Sequence, residues 1–118
     1  MPWNVIFHND FSAEVFELDA EVRNELLAKA KFLEAFGPTL GRPHADTLKG
    51  SRHANMKELR FEAAGGVWRV AYAFDRLRRA VLLVGGDKSG VGEKRFYRAL
   101  IEKADRRYDD HLKQLKRR

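Results

Sequence analysis

The sequence predicts an α+β fold in which N-terminal helices pack on a small twisted antiparallel sheet and a C-terminal helix closes the chain. Three observations carry that class. Between Met56 and Phe74 apolar residues fall on every second position, Leu59 and Phe61 in one segment and Trp68, Val70, Tyr72 and Phe74 in the next, which is the alternation of half-buried strands. Ala80 to Val84 is apolar throughout, as expected of a central strand covered on both faces. On either side of this block the period lengthens to that of a helix. Val22, Leu26, Ala30 and Leu33 form one stripe before it, and Phe96, Leu100, Ala104, Tyr108, Leu112 and Leu115 another after it.

Composition narrows the chemistry. A chain of 118 residues without a Pro/Gly/Ser-rich linker predicts a single domain over 1–118 with one modest core. The net charge of +6 points to a polyanionic partner, nucleic acid or an acidic protein. With no cysteine there is no disulfide framework, thiolate zinc site or cysteine nucleophile. His8, His44, His53 and His111 are dispersed, without the i, i+4 pair of a helical zinc site, so neither metal nor cofactor is expected. There is no GxSxG elbow. No secretory leader and no membrane-length apolar run is present, which predicts a cytoplasmic protein that does not engage a membrane.

Taken in order, Trp3 to His8 is a first strand lying against an edge of the meander, its partner unassigned. Ser12 or Asp10 caps a short helix through Leu18, and Asp19 caps a second through Phe36. Gly37-Pro38 ends the second: glycine tolerates the conformation past a helix end and proline cannot continue it. Thr39 to Asn55 reads as a long ordered loop over the sheet edge, bringing Lys49, Arg52 and His53 toward the strand that carries Arg60. Gly65-Gly66 supplies a tight hairpin. A two-residue turn there sets Glu62 opposite Arg69, and the other register of the same parity sets Arg60 opposite Arg69. In either case Arg60 and Arg69 share the polar face. If Phe74 and Ala80 close the next turn, Gly85 lies across from Arg69 and leaves room for a pocket.

Gly85 to Gly90 is a glycine-rich turn feeding a helix from about Gly92 to Leu115. It lacks Walker spacing but can present backbone N–H groups to a phosphate. Lys94, Arg95, Arg98, Lys103, Arg106 and Arg107 are expected on the exposed surface of that helix. Each candidate also has a purely structural role open to it. Arg69 can pair with Glu62 across the hairpin, Lys88 can be an ordinary turn cation, Tyr97 can be half-buried core, and Tyr108 belongs to the apolar stripe with His111 beside it.

The segments MKELRF, GVWRVAYAF, VLLVGGDKSG and KRFYRALIEKADRRYDDHL, preceded by LKGSRHAN, resemble the HigB branch of the RelE toxin superfamily over nearly the whole chain. That resemblance implies a RelE-like fold and the toxin of a type II toxin–antitoxin module. Such a toxin is a metal-independent endoribonuclease acting on messenger RNA at the ribosome, neutralised by a cognate antitoxin, here expected to be a helix-turn-helix protein. By position it implies Arg69 at the scissile phosphate, Lys88 and Arg60 as further catalytic cations, and Tyr97 against the substrate base. Arg52, His53, Lys57, Lys94 and Arg95 are the expected RNA-binding residues. The superfamily's paired lysines are replaced here by Lys57 and Glu58, and His53, Lys57 and Glu58 all stand as candidates for the general base. The alternative is a non-catalytic RNA- or protein-binding module on the same scaffold.

Overall fold

The structure, a computed structural model, describes residues 2–117. Five strands, β1 (Asn4–Phe7), β2 (Ala45–Thr47), β3 (Lys57–Ala63), β4 (Gly66–Phe74) and β5 (Arg79–Asp87), form one sheet in the order β1-β5-β4-β3-β2. Three helices, α1 (Asn9–Phe16), α2 (Ala20–Phe36) and α3 (Glu93–Lys116), cover its two faces. β3, β4 and β5 are the expected antiparallel meander, and β2 extends it antiparallel on β3. β1 pairs with the outer edge of the meander, on β5, but runs parallel to it, so the sheet is mixed. Its connection to β5 passes through α1, α2 and the rest of the sheet, and no tight turn forces the antiparallel sense.

The helix ends follow local chemistry. The His8 ring, rather than Ser12 or Asp10, caps α1 by accepting from the Asp10 N–H at 3.1 Å. Asp19 caps α2 by accepting from the Glu21 N–H. Gly37 ends α2 at φ +54° with its N–H on the Leu33 carbonyl, and a Cβ there would sit 2.3 Å from the Trp3 ring. Conformation and packing therefore both demand glycine. The chain from Thr39 to Asn55 is a loop only in part. Its middle, Ala45 to Thr47, is a short strand whose three residues are too few to show an alternation.

Two cores lie on opposite faces of the sheet. Leu26 and Leu33 of α2 and Phe11 of α1 pack with Leu59, Val70, Tyr72 and Leu82, while Leu100, Ala104 and Tyr108 of α3 pack with Ala71, Ala73, Val81 and Leu83. Each large aliphatic side chain buried this way contributes about 1.5–3 kcal/mol. The second hairpin is closed by Phe74 and Ala80 as expected, but the register slips between Ala71 and Tyr72, so that Gly86, not Gly85, lies opposite Arg69. Leu83 is the unpaired residue of this bulge. Leu83 and its neighbour Val84 both face the α3 core, which an unbroken alternation would forbid.

Arg107 explains how the bulge is tolerated. Sequence reasoning placed it on the exposed surface of α3, yet it is buried. Its Nη1 donates to the Leu83 carbonyl at 2.8 Å, and both terminal nitrogens reach the Glu14 carboxylate at 2.9 and 2.6 Å. A carbonyl displaced from the sheet ladder must find another donor when buried, and the guanidinium supplies it while joining α1, β5 and α3.

Candidate functional site

The first hairpin places the polar cluster. Ala64 and Gly65, both at positive φ, make the two-residue turn, one position earlier than Gly65-Gly66, and Ala63 pairs with Gly66. Arg60 therefore stands directly opposite Arg69, and Glu62 does not. Like charges face each other across a ladder only when something stands between them. Here it is Glu58, one pleat away on the same face: its Oε2 accepts from Arg60 Nη1 at 2.8 Å and its Oε1 lies 3.9 Å from Arg69 Nε. Glu58 is 3 % exposed, and its Oε1 has no hydrogen-bond partner among the described residues. A buried carboxylate oxygen left unpaired is costly.

Tyr97, on the second turn of α3, completes the group. Its hydroxyl accepts from Arg69 Nε at 3.2 Å, and Arg69 Nη1 donates to the Trp68 carbonyl at 2.9 Å. Burial pushes the Tyr97 phenol above its ordinary pKa, Glu58 adds to the rise and Arg69 offsets part of it. The phenol is thus a neutral donor at physiological pH.

Arg69 is 6 % exposed, which corrects the expectation of a pocket across from it: α3 covers that side, and the space beside Gly86 is taken by the Phe96 ring, 3.0 Å from where a Cβ would stand. Two clefts that share Arg42 and Arg60 border the cluster. One, of about 570 Å³, runs between α2 and the hairpin and reaches Arg69 past Lys29 and His44. The other, of about 720 Å³, lies between the β2 edge and α3, with Glu58, Tyr97, Lys94 and Arg98 in its walls.

Not every expected residue joins. Lys88 donates to Glu93 at 3.1 Å and lines neither cleft, although its backbone N–H bonds the Val67 carbonyl two residues from Arg69. Lys94 and Lys49 line the α3 cleft, whereas Arg95 faces a separate apolar hollow beside Gly85 and Gly86. Lys57 falls on the opposite face of β3 from Glu58 and Arg60 by alternation. Arg52 and His53 are held elsewhere: both bond the Asp109 carboxylate, His53 Nε2 at 2.8 Å, and Ser51 and the Arg52 N–H bond Asp105. At 1.5 Å per residue, Asp105 and Asp109 lie about 12 and 18 Å along α3 from Tyr97. Of the three candidate bases, only Glu58 is in the cluster. Arg42 and His44 were missed because they reach the site through β2, a strand too short to see in the sequence.

The five-stranded mixed sheet with α1 and α2 on one face and α3 on the other has the RelE fold. A solved structure of a free-state mutant of the E. coli toxin RelE has a TM-score of 0.62 to this chain, covering 87% of it and 97% of that chain at 15% identity, a likeness of fold. The chain belongs to the family described as phage derived protein Gp49-like (DUF891), which matches residues 13–109, and is HigB-like in sequence. Two relatives from Mycobacterium tuberculosis (strain ATCC 25618 / H37Rv), both toxins by name, are similar to it. HigB2 is 41% identical over 104 residues, 87% of this chain, and HigB3 is 43% identical over 97 residues, 82% of each. The chain spans about half the length of HigB2, 51%.

Proposed function

We propose that this chain is the toxin of a type II toxin–antitoxin module, a ribosome-dependent endoribonuclease that cuts messenger RNA and so inhibits translation, held in check by a helix-turn-helix antitoxin. The observation that carries this reading is the unpartnered Glu58 Oε1, buried among Arg60, Arg69 and Tyr97 at the meeting of two cationic clefts. In the proposed reaction Glu58 takes the proton of a ribose 2′-OH, whose oxygen attacks the adjacent phosphorus. The bond from phosphorus to the 5′-oxygen breaks, Tyr97 protonates the departing oxygen, and the products are a 2′,3′-cyclic phosphate and a 5′-OH. Arg60 meets the phosphate, and Arg69 stabilises the added negative charge while orienting Tyr97. Such preorganised donors are worth about 3–4 kcal/mol each. Every proton is supplied or accepted by a side chain, so the chemistry needs no metal.

Primer extension on a message translated in the presence of the protein tests this directly. Wild type leaves breaks within the translated region, and Glu58→Gln, which keeps shape and removes the charge, slows cleavage by roughly 10²–10⁴-fold. The burial of Arg69 favours the second reading, a non-catalytic binding module. Salt-dependent RNA binding by the wild type with no cut product on ribosomes would establish it and exclude the nuclease.

A further inference from the structure

An exposed aromatic group stands on α2 beside the cleft. Glu25, Lys29, Phe32 and Phe36 follow each other along one stripe of α2, and the ring of Phe32 stacks on Phe36 at 6.4 Å and on His44 at 4.6 Å, with interplanar angles of 20° and 23°. Phe32 and Phe36 remain 38 % and 53 % exposed. Lys29 anchors the stack from below: its Nζ lies 3.0 Å from His44 Nδ1 and 5.4 Å from the Phe32 ring centre. Three near-parallel rings therefore stand at the lip of the cleft that leads to Arg69, ending in an exposed Phe36 face.

We infer that the Phe36–Phe32–His44 stack and the cleft beside it form a second RNA subsite, which holds the unpaired nucleotides flanking the cleaved phosphodiester; this rests on the endonuclease reading above. The cleft is lined by Lys29, Arg42, Arg60 and Arg69 against Glu25 and Glu62, an excess of positive charge that suits phosphates. Flat rings accept any base, because every base presents a π-face. Arg42 and Arg60 line this cleft and the Glu58–Tyr97 cleft alike, so one strand can run from the stack into the reacting position. A protein partner would use the apolar area of the phenylalanines but would gain nothing from the near-parallel alignment of their rings with the histidine.

The two uses separate experimentally, since leucine keeps apolar area and lacks a π-face. A short single-stranded oligoribonucleotide carrying 2-aminopurine is titrated with the full chain. Wild type quenches the fluorophore by stacking on it. The double variant Phe32→Leu, Phe36→Leu binds about tenfold more weakly, the loss of one base stack, and quenches little. Phe32→Tyr, Phe36→Tyr restores both, which a folding defect would not allow. Equal binding and quenching by the leucine variant overturns the subsite. So does a Phe32→Ser, Phe36→Ser variant that binds the oligoribonucleotide as wild type does but no longer copurifies with its antitoxin. Cleavage on ribosomes is followed in parallel: a wild type that quenches but cuts nothing supports the subsite while removing the nuclease reading.

Discussion

Burial decides what each tyrosine can do. Tyr72 and Tyr97 both have phenols raised by desolvation, but the Tyr72 hydroxyl is sealed in the α2-side core with no partner among the described residues, whereas the Tyr97 hydroxyl touches Arg69 and lines a cleft. Only the second can pass a proton to a substrate. Tyr97→Phe removes the proposed donor and one hydrogen bond of about 1 kcal/mol. Cleavage should fall by roughly 10²-fold or more, while the melting temperature moves by only a few degrees. Single-turnover cleavage and thermal melting of the same preparations check this, and a variant that cuts at the wild-type rate would remove Tyr97 from the chemistry. The sequence singles out Arg69 and Tyr97 but not their contact, because a strand residue and a helix residue 28 positions apart are joined only by packing.

Among the elements, α3 is legible in the sequence as a helix, but its attachment to the sheet is not. Its limits and apolar stripe follow from periodicity, and Leu100, Ala104, Tyr108 and Leu115 are indeed buried. Lys94, Arg95, Arg98 and Arg106 are exposed as expected, whereas Asp105 and Arg107 are buried despite their charge. Arg107 turns inward because a bulge in β5 frees the Leu83 carbonyl, and no sequence pattern announces a bulge inside an apolar run. The registers of both hairpins carry the same lesson: alternation fixes which face a residue takes, but the turn position and the bulge decide which residue stands opposite. Arg107→Ala strips the Leu83 carbonyl and the Glu14 carboxylate of their donor at once. Losing a buried pair costs about 3–5 kcal/mol, and the partial exposure of Glu14 lets water recover some of it, leaving about 2–3 kcal/mol. The midpoint of thermal unfolding should drop by roughly 10 °C, with Arg107→Lys, which retains one cationic donor, in between. A loss below about 1 kcal/mol by denaturant titration would mean that the bulge is not held by this side chain.

Across the whole molecule, the polar contacts converge on one helix. Glu14 of α1 meets Arg107, Asp75 of the β4–β5 turn meets His111, and Asp109 meets Arg52 and His53 of the loop after β2. Each therefore ties α3 to a different part of the fold, and each carboxyl lies below its ordinary pKa. For Glu14 the Arg107 hydrogen bonds are the chief cause, and for Asp109 that of Arg52. For Asp75 burial pushes upward, but the hydrogen bonds from His111, Arg79 and the Arg79 N–H together outweigh it. A carboxylate whose pKa is depressed by folding binds fewer protons in the native state than in the unfolded chain, so stability increases with pH through its titration range. The contribution is complete above the unfolded value near 4 and disappears as pH falls through the folded one. Acid should therefore release α3 from the sheet before the β3–β4 hairpin opens, since that hairpin has none of these three fastenings. Hydrogen exchange measured from pH 6 down to pH 3, corrected for intrinsic rates, should show α3 amides losing protection first, and Asp75→Asn should bring part of that loss to neutral pH while flattening the acid slope. An Asp75→Asn protein with the same slope as wild type, or a hairpin that loses protection ahead of α3, would show that the helix is held chiefly by its apolar stripe.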